Sequence, residues 1–114
     1  GKTVSGRVDL APALKAKASP DDVVFIFARA AQGPRMPLAV VRAKVADLPV
    51  EFTLDDSMAL SPEFKLSSAG SLRIEARVSR SGDATAKPGD LRGESGPVQP
   101  GARKLSIVID KVVE

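Results

Sequence analysis

The chain has 114 residues, 43% of them apolar, and a net charge of +3. That length suits one domain, which buries roughly two-thirds of its unfolded surface and needs no disulfide or metal to fold. Cysteine and histidine are both absent, which excludes thiol nucleophiles, disulfides, zinc ribbons and iron–sulfur sites, and removes the commonest general base and metal ligand.

The first predicted strand is Val4–Leu10, where Gly6, Val8 and Leu10 alternate with Ser5, Arg7 and Asp9. Ala11-Pro12 stops it, residues 12–18 suit a turn of helix, and Ser19-Pro20-Asp21-Asp22 reads as a loop. Val23–Ala30 is almost continuously apolar and rich in β-branched and aromatic residues, as expected of a central strand covered on both faces. After a turn at Gln32-Gly33-Pro34, residues 38–45 form the next strand, broken by Asp47-Leu48-Pro49. Val50–Leu54 alternates cleanly, with Val50, Phe52 and Leu54 inward.

Residues 55–68 lack strand alternation, and Ser61-Pro62-Glu63 has the chemistry of a helix start: a capping hydroxyl, a first-position proline and an early acid. In residues 72–78, Leu72, Ile74, Ala76 and Val78 point one way and Arg73, Glu75 and Arg77 the other. Residues 79–101 are loop-like, with a short edge strand expected near 91–98, where Gly and Pro are tolerated. Residues 105–113 form the last strand. The expected core is Val8, Leu10, Val24, Phe25, Ile26, Phe27, Val40, Phe52, Leu54, Leu72, Ile74, Val78, Ile107 and Ile109. Short strands, Gly/Pro turns and no long helical pattern define an all-β sandwich or small barrel.

Charge is uneven along the chain: residues 1–46 carry a net +5, 47–64 a net −5 and 65–82 a net +3. The acidic block interrupts the basic ones, so no long basic stripe is expected, and no aromatics interleave with the cations to stack bases. Nucleic acid is therefore not an expected partner. No stretch approaches the roughly 20 apolar residues of a membrane span. The chain opens Gly1-Lys2-Thr3-Val4 without Met and is read as a piece of a longer protein, any anchor or targeting signal lying outside it.

Candidate chemistry is sparse. Asp55-Asp56-Ser57 is the tightest carboxylate pair; it reads as a cation or acid–base site, or as a turn in which Asp and Ser cap their own backbone. Asp21-Asp22 has the same two readings. No run has calcium-loop spacing. Ser5, Ser57 and Ser61 lack a His partner, and no G-x-S-x-G or S-x-x-K context supports a serine nucleophile. Gly33-Pro34-Arg35-Met36-Pro37 sets an Arg and a Met between prolines. It is either a stiff recognition loop or a plain inter-strand turn; Met58 is a similar case. The expected partner-binding residues are Arg35 and Met36, with Arg42, Asp55, Asp56 and Met58 as neighbours. No catalytic residue, cofactor or metal is expected.

Several strings resemble one family. They are Phe25-Ile26-Phe27-Ala28-Arg29-Ala30, Gly33-Pro34-Arg35-Met36-Pro37-Leu38-Ala39-Val40-Val41-Arg42 and Phe52-Thr53-Leu54-Asp55-Asp56-Ser57-Met58-Ala59-Leu60-Ser61-Pro62. Lys65-Leu66-Ser67, Ala76-Arg77-Val78-Ser79-Arg80-Ser81-Gly82 and Pro88-Gly89-Asp90-Leu91 follow in the same order. Together they resemble the C-terminal periplasmic domain of the CcmI/CycH family of c-type cytochrome biogenesis proteins. The resemblance implies an immunoglobulin-like antiparallel β-sandwich of about seven short strands over residues 1–114, part of a membrane-anchored protein with a tetratricopeptide-repeat region. It implies a periplasmic location and a non-enzymatic role in handling apocytochrome c or assembling the haem-ligation complex. The implied partners are apocytochrome c, haem-ligation subunits and the protein's own repeat domain. The alternative is a structural sandwich that caps or spaces a larger periplasmic protein. A carbohydrate-binding sandwich is disfavoured by the lack of Trp and Tyr platforms.

Overall fold

A computed structural model describes residues 3–30, 37–55, 71–79, 87–99 and 101–113. The turn expected at Gln32-Gly33-Pro34 and the helix start expected at Ser61-Pro62-Glu63 lie outside them. The strands are β1 (Val4–Leu10), β2 (Val23–Ala30), β3 (Pro37–Lys44), β4 (Val50–Leu54), β5 (Leu72–Ser79), β6 (Leu91–Glu94), β7 (Leu105–Ile109) and β8 (Lys111–Val112). Short 3-10 turns cover Pro12–Lys17 and Val45–Asp47.

Two sheets form, one ordered β4-β1-β7 and the other β3-β2-β5-β6-β8. All ladders are antiparallel except β1–β7, which is parallel, with Val8 opposite Ile107 and Leu10 opposite Ile109. The inward faces make one apolar cluster. Val4, Val8 and Leu10 of β1 and Ile107 and Ile109 of β7 meet Val24 and Ile26 of β2 and Leu72, Ile74 and Val78 of β5. Burying each of these side chains stabilises the fold by roughly 1.5–3 kcal/mol before entropy is charged against it. Leu14, from the first 3-10 turn, is also buried in the cluster.

The expected last strand divides. β7 belongs to the three-stranded sheet and β8 to the five-stranded one. The crossing falls at Asp110, whose N–H donates to the Arg92 carbonyl at 3.1 Å. β6 is consequently not an edge: β5 flanks it on one side and β8 on the other. The crossing requires glycine at 93, because a Cβ there would collide with the backbone of Val108 and Ile109.

Aspartates close three turns, each accepting a backbone N–H three residues earlier. Asp22 takes Ser19 at 2.9 Å, Asp47 takes Lys44 at 3.1 Å and Asp90 takes Lys87 at 3.0 Å. Of the two readings of Asp21-Asp22, this supports the turn.

Every residue of the expected core except Val40 is buried, and the phase of β2 and β3 sets which face each one takes. Val24, Ile26 and Ala28 face the intersheet cluster, while Phe25 and Phe27 are buried on the opposite, outer face and lie outside it. Val40 sits opposite Phe27 on that outer face and is only half-buried. From β3, Leu38 and Ala39 are the buried members of the cluster instead.

Candidate interaction surface

Antiparallel pairing puts directly opposed residues on one side of a sheet. On the outer face of the five-stranded sheet, Arg42 is opposite Phe25, Phe25 opposite Arg77, Arg77 opposite Arg92, and Arg92 opposite Lys111. This row crosses all five strands, a span of about 19 Å at the usual inter-strand spacing. The next row is Val40, Phe27, Glu75 and Glu94. Beyond it Arg29 faces Arg73, and at the other end Lys44 faces Val23. Among the described residues, the paired positions of this face therefore carry seven cations and two carboxylates.

Phe25 is 3% exposed and Phe27 9%, although neither is in the intersheet core. Arginines cover the rings: the Arg42 guanidinium lies 5.4 Å from the Phe25 centroid, and that of Arg77 5.8 Å from both rings. Such stacking contributes roughly 0.5–1 kcal/mol at exposed sites and about 2 where water is excluded. Arg77 is itself buried, whereas Arg42 is exposed. Two ion pairs bridge neighbouring rows, Arg29–Glu94 at 3.7 Å and Arg92–Glu75 at 3.9 Å. Burial raises the Glu75 carboxyl above its ordinary value; Arg29 pulls it down, Glu94 pushes it up, and Arg77 and Arg92 pull it down further.

The outer face of the three-stranded sheet is different. Arg7 lies opposite Glu51 and Ser5 opposite Thr53. A depression of about 490 Å³ runs there, lined by Ser5, Arg7, Glu51, Thr53, Lys104 and Ser106 among others. Its charges nearly cancel. Of the two outer sheet faces, among the described residues, the five-stranded one therefore carries the larger net positive charge.

Of the residues expected to bind a partner, the described structure contains Arg42 and Asp55. Arg42 stands at one end of the cationic row, and Asp55, half-buried, follows β4 on the other sheet. Arg35, Met36, Asp56 and Met58 lie outside the described residues. The expectation that no basic stripe forms is overturned, since Arg77, Arg92 and Lys111 join Arg42 through strand pairing, which charge along the chain does not register. The available signal was the apolar run of β2: its outward Phe25 and Phe27 needed cover, and the outward residues of the 72–78 strand were Arg73, Glu75 and Arg77.

Among the described residues no group of three or more Asp/Glu side chains is placed to hold a metal ion, and no helix is long and apolar enough to cross a membrane. Two sheets over one apolar core, with β1 parallel to β7 at the rim, define an immunoglobulin-like β-sandwich, here with one cationic outer face. The family model for the cytochrome c-type biogenesis protein H Ig-like domain matches residues 4–110, and the chain belongs to that family. It is 44% identical over 110 residues to cytochrome c-type biogenesis protein CycH of Pseudomonas aeruginosa, covering 94% of this chain and 26% of that protein. It is 33% identical over 111 residues to an uncharacterized protein of Aquifex aeolicus, covering 97% of this chain and 72% of the other. No solved structure matches the chain significantly.

Proposed function

We propose that this domain is a non-enzymatic interaction module of c-type cytochrome maturation, acting in the periplasm as part of a longer, membrane-anchored protein. It helps to hold apocytochrome c or to assemble the haem-ligation complex. The observation that carries this reading is the family match across residues 4–110 in a chain without Cys or His. Haem attachment needs reactive thiols and an iron ligand, so a domain lacking both is suited to recognition rather than to that chemistry. The sandwich supports that role because it presents guanidinium groups on a rigid sheet, where little ordering entropy is lost on binding.

The test is deletion of residues 4–110 from the full-length protein, followed by haem staining of c-type cytochromes and immunodetection of the apoproteins. The expected result is loss of the haem-stained species while apocytochrome is still made. Unchanged haem staining overturns the reading.

A further inference from the structure

We infer that the cationic row of the five-stranded sheet docks an acidic segment of another polypeptide. The inference deepens the interaction-module reading and rests on it for biological context, while its physical basis is the sheet itself.

Like charges directly opposite each other destabilise a sheet. Here Arg77 faces Arg92, and Arg92 faces Lys111, whereas the other sheet sets Arg7 against Glu51. Glu75 offsets Arg92 at 3.9 Å, which leaves the row with more positive charge than its own carboxylates neutralise. The row ends are available. Arg42 and Lys111 are exposed, and among the described residues neither has a carboxylate within ion-pair distance. Between them, the Arg92 side chain is 44% exposed. The Phe25 ring forms an apolar floor beneath Arg42 and Arg77, which excludes water from one side of the guanidinium groups and strengthens their attraction for an anion.

The geometry also selects the occupant. Carboxylates of Glu75 and Glu94 flank the row on one side and are themselves engaged by Arg92 and Arg29, so the cations left open to a partner, Arg42 and Lys111 with the exposed Arg92 between them, lie along a line. A polypeptide with spaced Asp or Glu side chains satisfies that pattern, with carboxylates taking paired hydrogen bonds from Arg42 and Arg92 and a charge contact from Lys111. An anionic membrane is the competing occupant, since it would meet all seven cations of the face, and the vesicle arm of the test decides between the two. Single-stranded nucleic acid requires open aromatic faces for stacking, and Phe25 and Phe27 are covered.

The test titrates the isotopically labelled chain with an alternating Glu/Ala peptide long enough to span the row. Its Gln/Ala counterpart, an oligodeoxythymidine and phosphatidylserine vesicles serve as comparison probes. Amide shifts confined to β2, β5, β6 and β8, weakened by salt, are expected with the Glu/Ala peptide only. The double substitution Arg42→Gln, Lys111→Gln should weaken its binding by about tenfold, and Arg7→Gln, Lys104→Gln on the opposite face should leave it unchanged. Equal losses from both pairs, shifts centred on β1 and β4, or tighter binding of the oligonucleotide or vesicles overturn the inference. The wild-type shift map decides the matter even if a variant fails to fold. Peptide docking on the row with normal cytochrome maturation in the Arg42/Lys111 variant would leave the surface standing and remove its assigned biological role.

Discussion

Replacing Gly93 by alanine tests the crossing that joins the two sheets. A Cβ at that position would overlap the Val108 carbonyl and lie against the Ile109 Cα, all of it backbone. That backbone has little freedom to retreat. On one side β7 is held by its ladder to β1, and at its end the Asp110 N–H is held by the Arg92 carbonyl at 3.1 Å. Overpacking a tight site costs about 1–3 kcal/mol, and loosening the Asp110–Arg92 hydrogen bond adds about 1 kcal/mol. The expected loss is therefore about 2–4 kcal/mol, on the order of 15 °C in Tm for a domain of this size. Urea denaturation followed by circular dichroism measures it. Gly96→Ala is the control, since a Cβ there meets nothing within 4 Å. That substitution should be neutral or stabilise by about 0.4–1 kcal/mol through the unfolded chain. A Gly93→Ala loss below about 1 kcal/mol would refute the close approach of β6 and β7.

Phe25→Ala should destabilise by about 3–5 kcal/mol despite lying outside the intersheet core, because the ring is buried beneath two guanidinium groups; a loss near zero in chemical denaturation contradicts that burial. Burial raises the Glu75 carboxyl above the ordinary carboxylate range, so the stability it contributes is present below that range and lost as pH rises through the folded-state value. Glu75→Gln should therefore gain on the wild type as pH rises toward neutrality; a constant gap between their urea midpoints, or one that closes, refutes the sign. The double substitution Arg35→Ala, Met36→Ala in the full-length protein should leave the melting temperature unchanged and weaken capture of apocytochrome c or a haem-ligation subunit. Undiminished capture by the folded variant makes that segment a plain connection.

Local periodicity carried most of the fold. β1, β2 and β4 have the bounds that alternation and Pro/Gly breaks predict, and β5 runs one residue past its expected end. Where alternation vanished, so did the phase. The run from Val23 to Ala30 is apolar at almost every position, so β2 alone does not say which residues face the core. Its pairing with β5 decides: Val24 opposes Val78, and Phe25 opposes Arg77. Val40 was misplaced for the same reason, since Val40 and Val41 are adjacent and only Val41 packs against the core. The division of the last strand at Asp110 depends on where β6 lies in space, which no local pattern in residues 105–113 reveals. The cationic row was hidden more deeply. Its members are 42, 77, 92 and 111, too far apart for charge along the chain to connect, and only strand register aligns them. In the sequence Arg42 stands out only as a neighbour of Arg35 and Met36, without reference to the row it ends.

The most direct test of the account is quantitative capture of apocytochrome c and haem-ligation subunits by the full-length protein, comparing wild type, Arg42→Gln with Lys111→Gln, and Arg7→Gln with Lys104→Gln. The five-stranded-face variant should lose capture in a salt-sensitive manner while the opposite-face variant retains it, both remaining folded. Equal capture by all three proteins would contradict it.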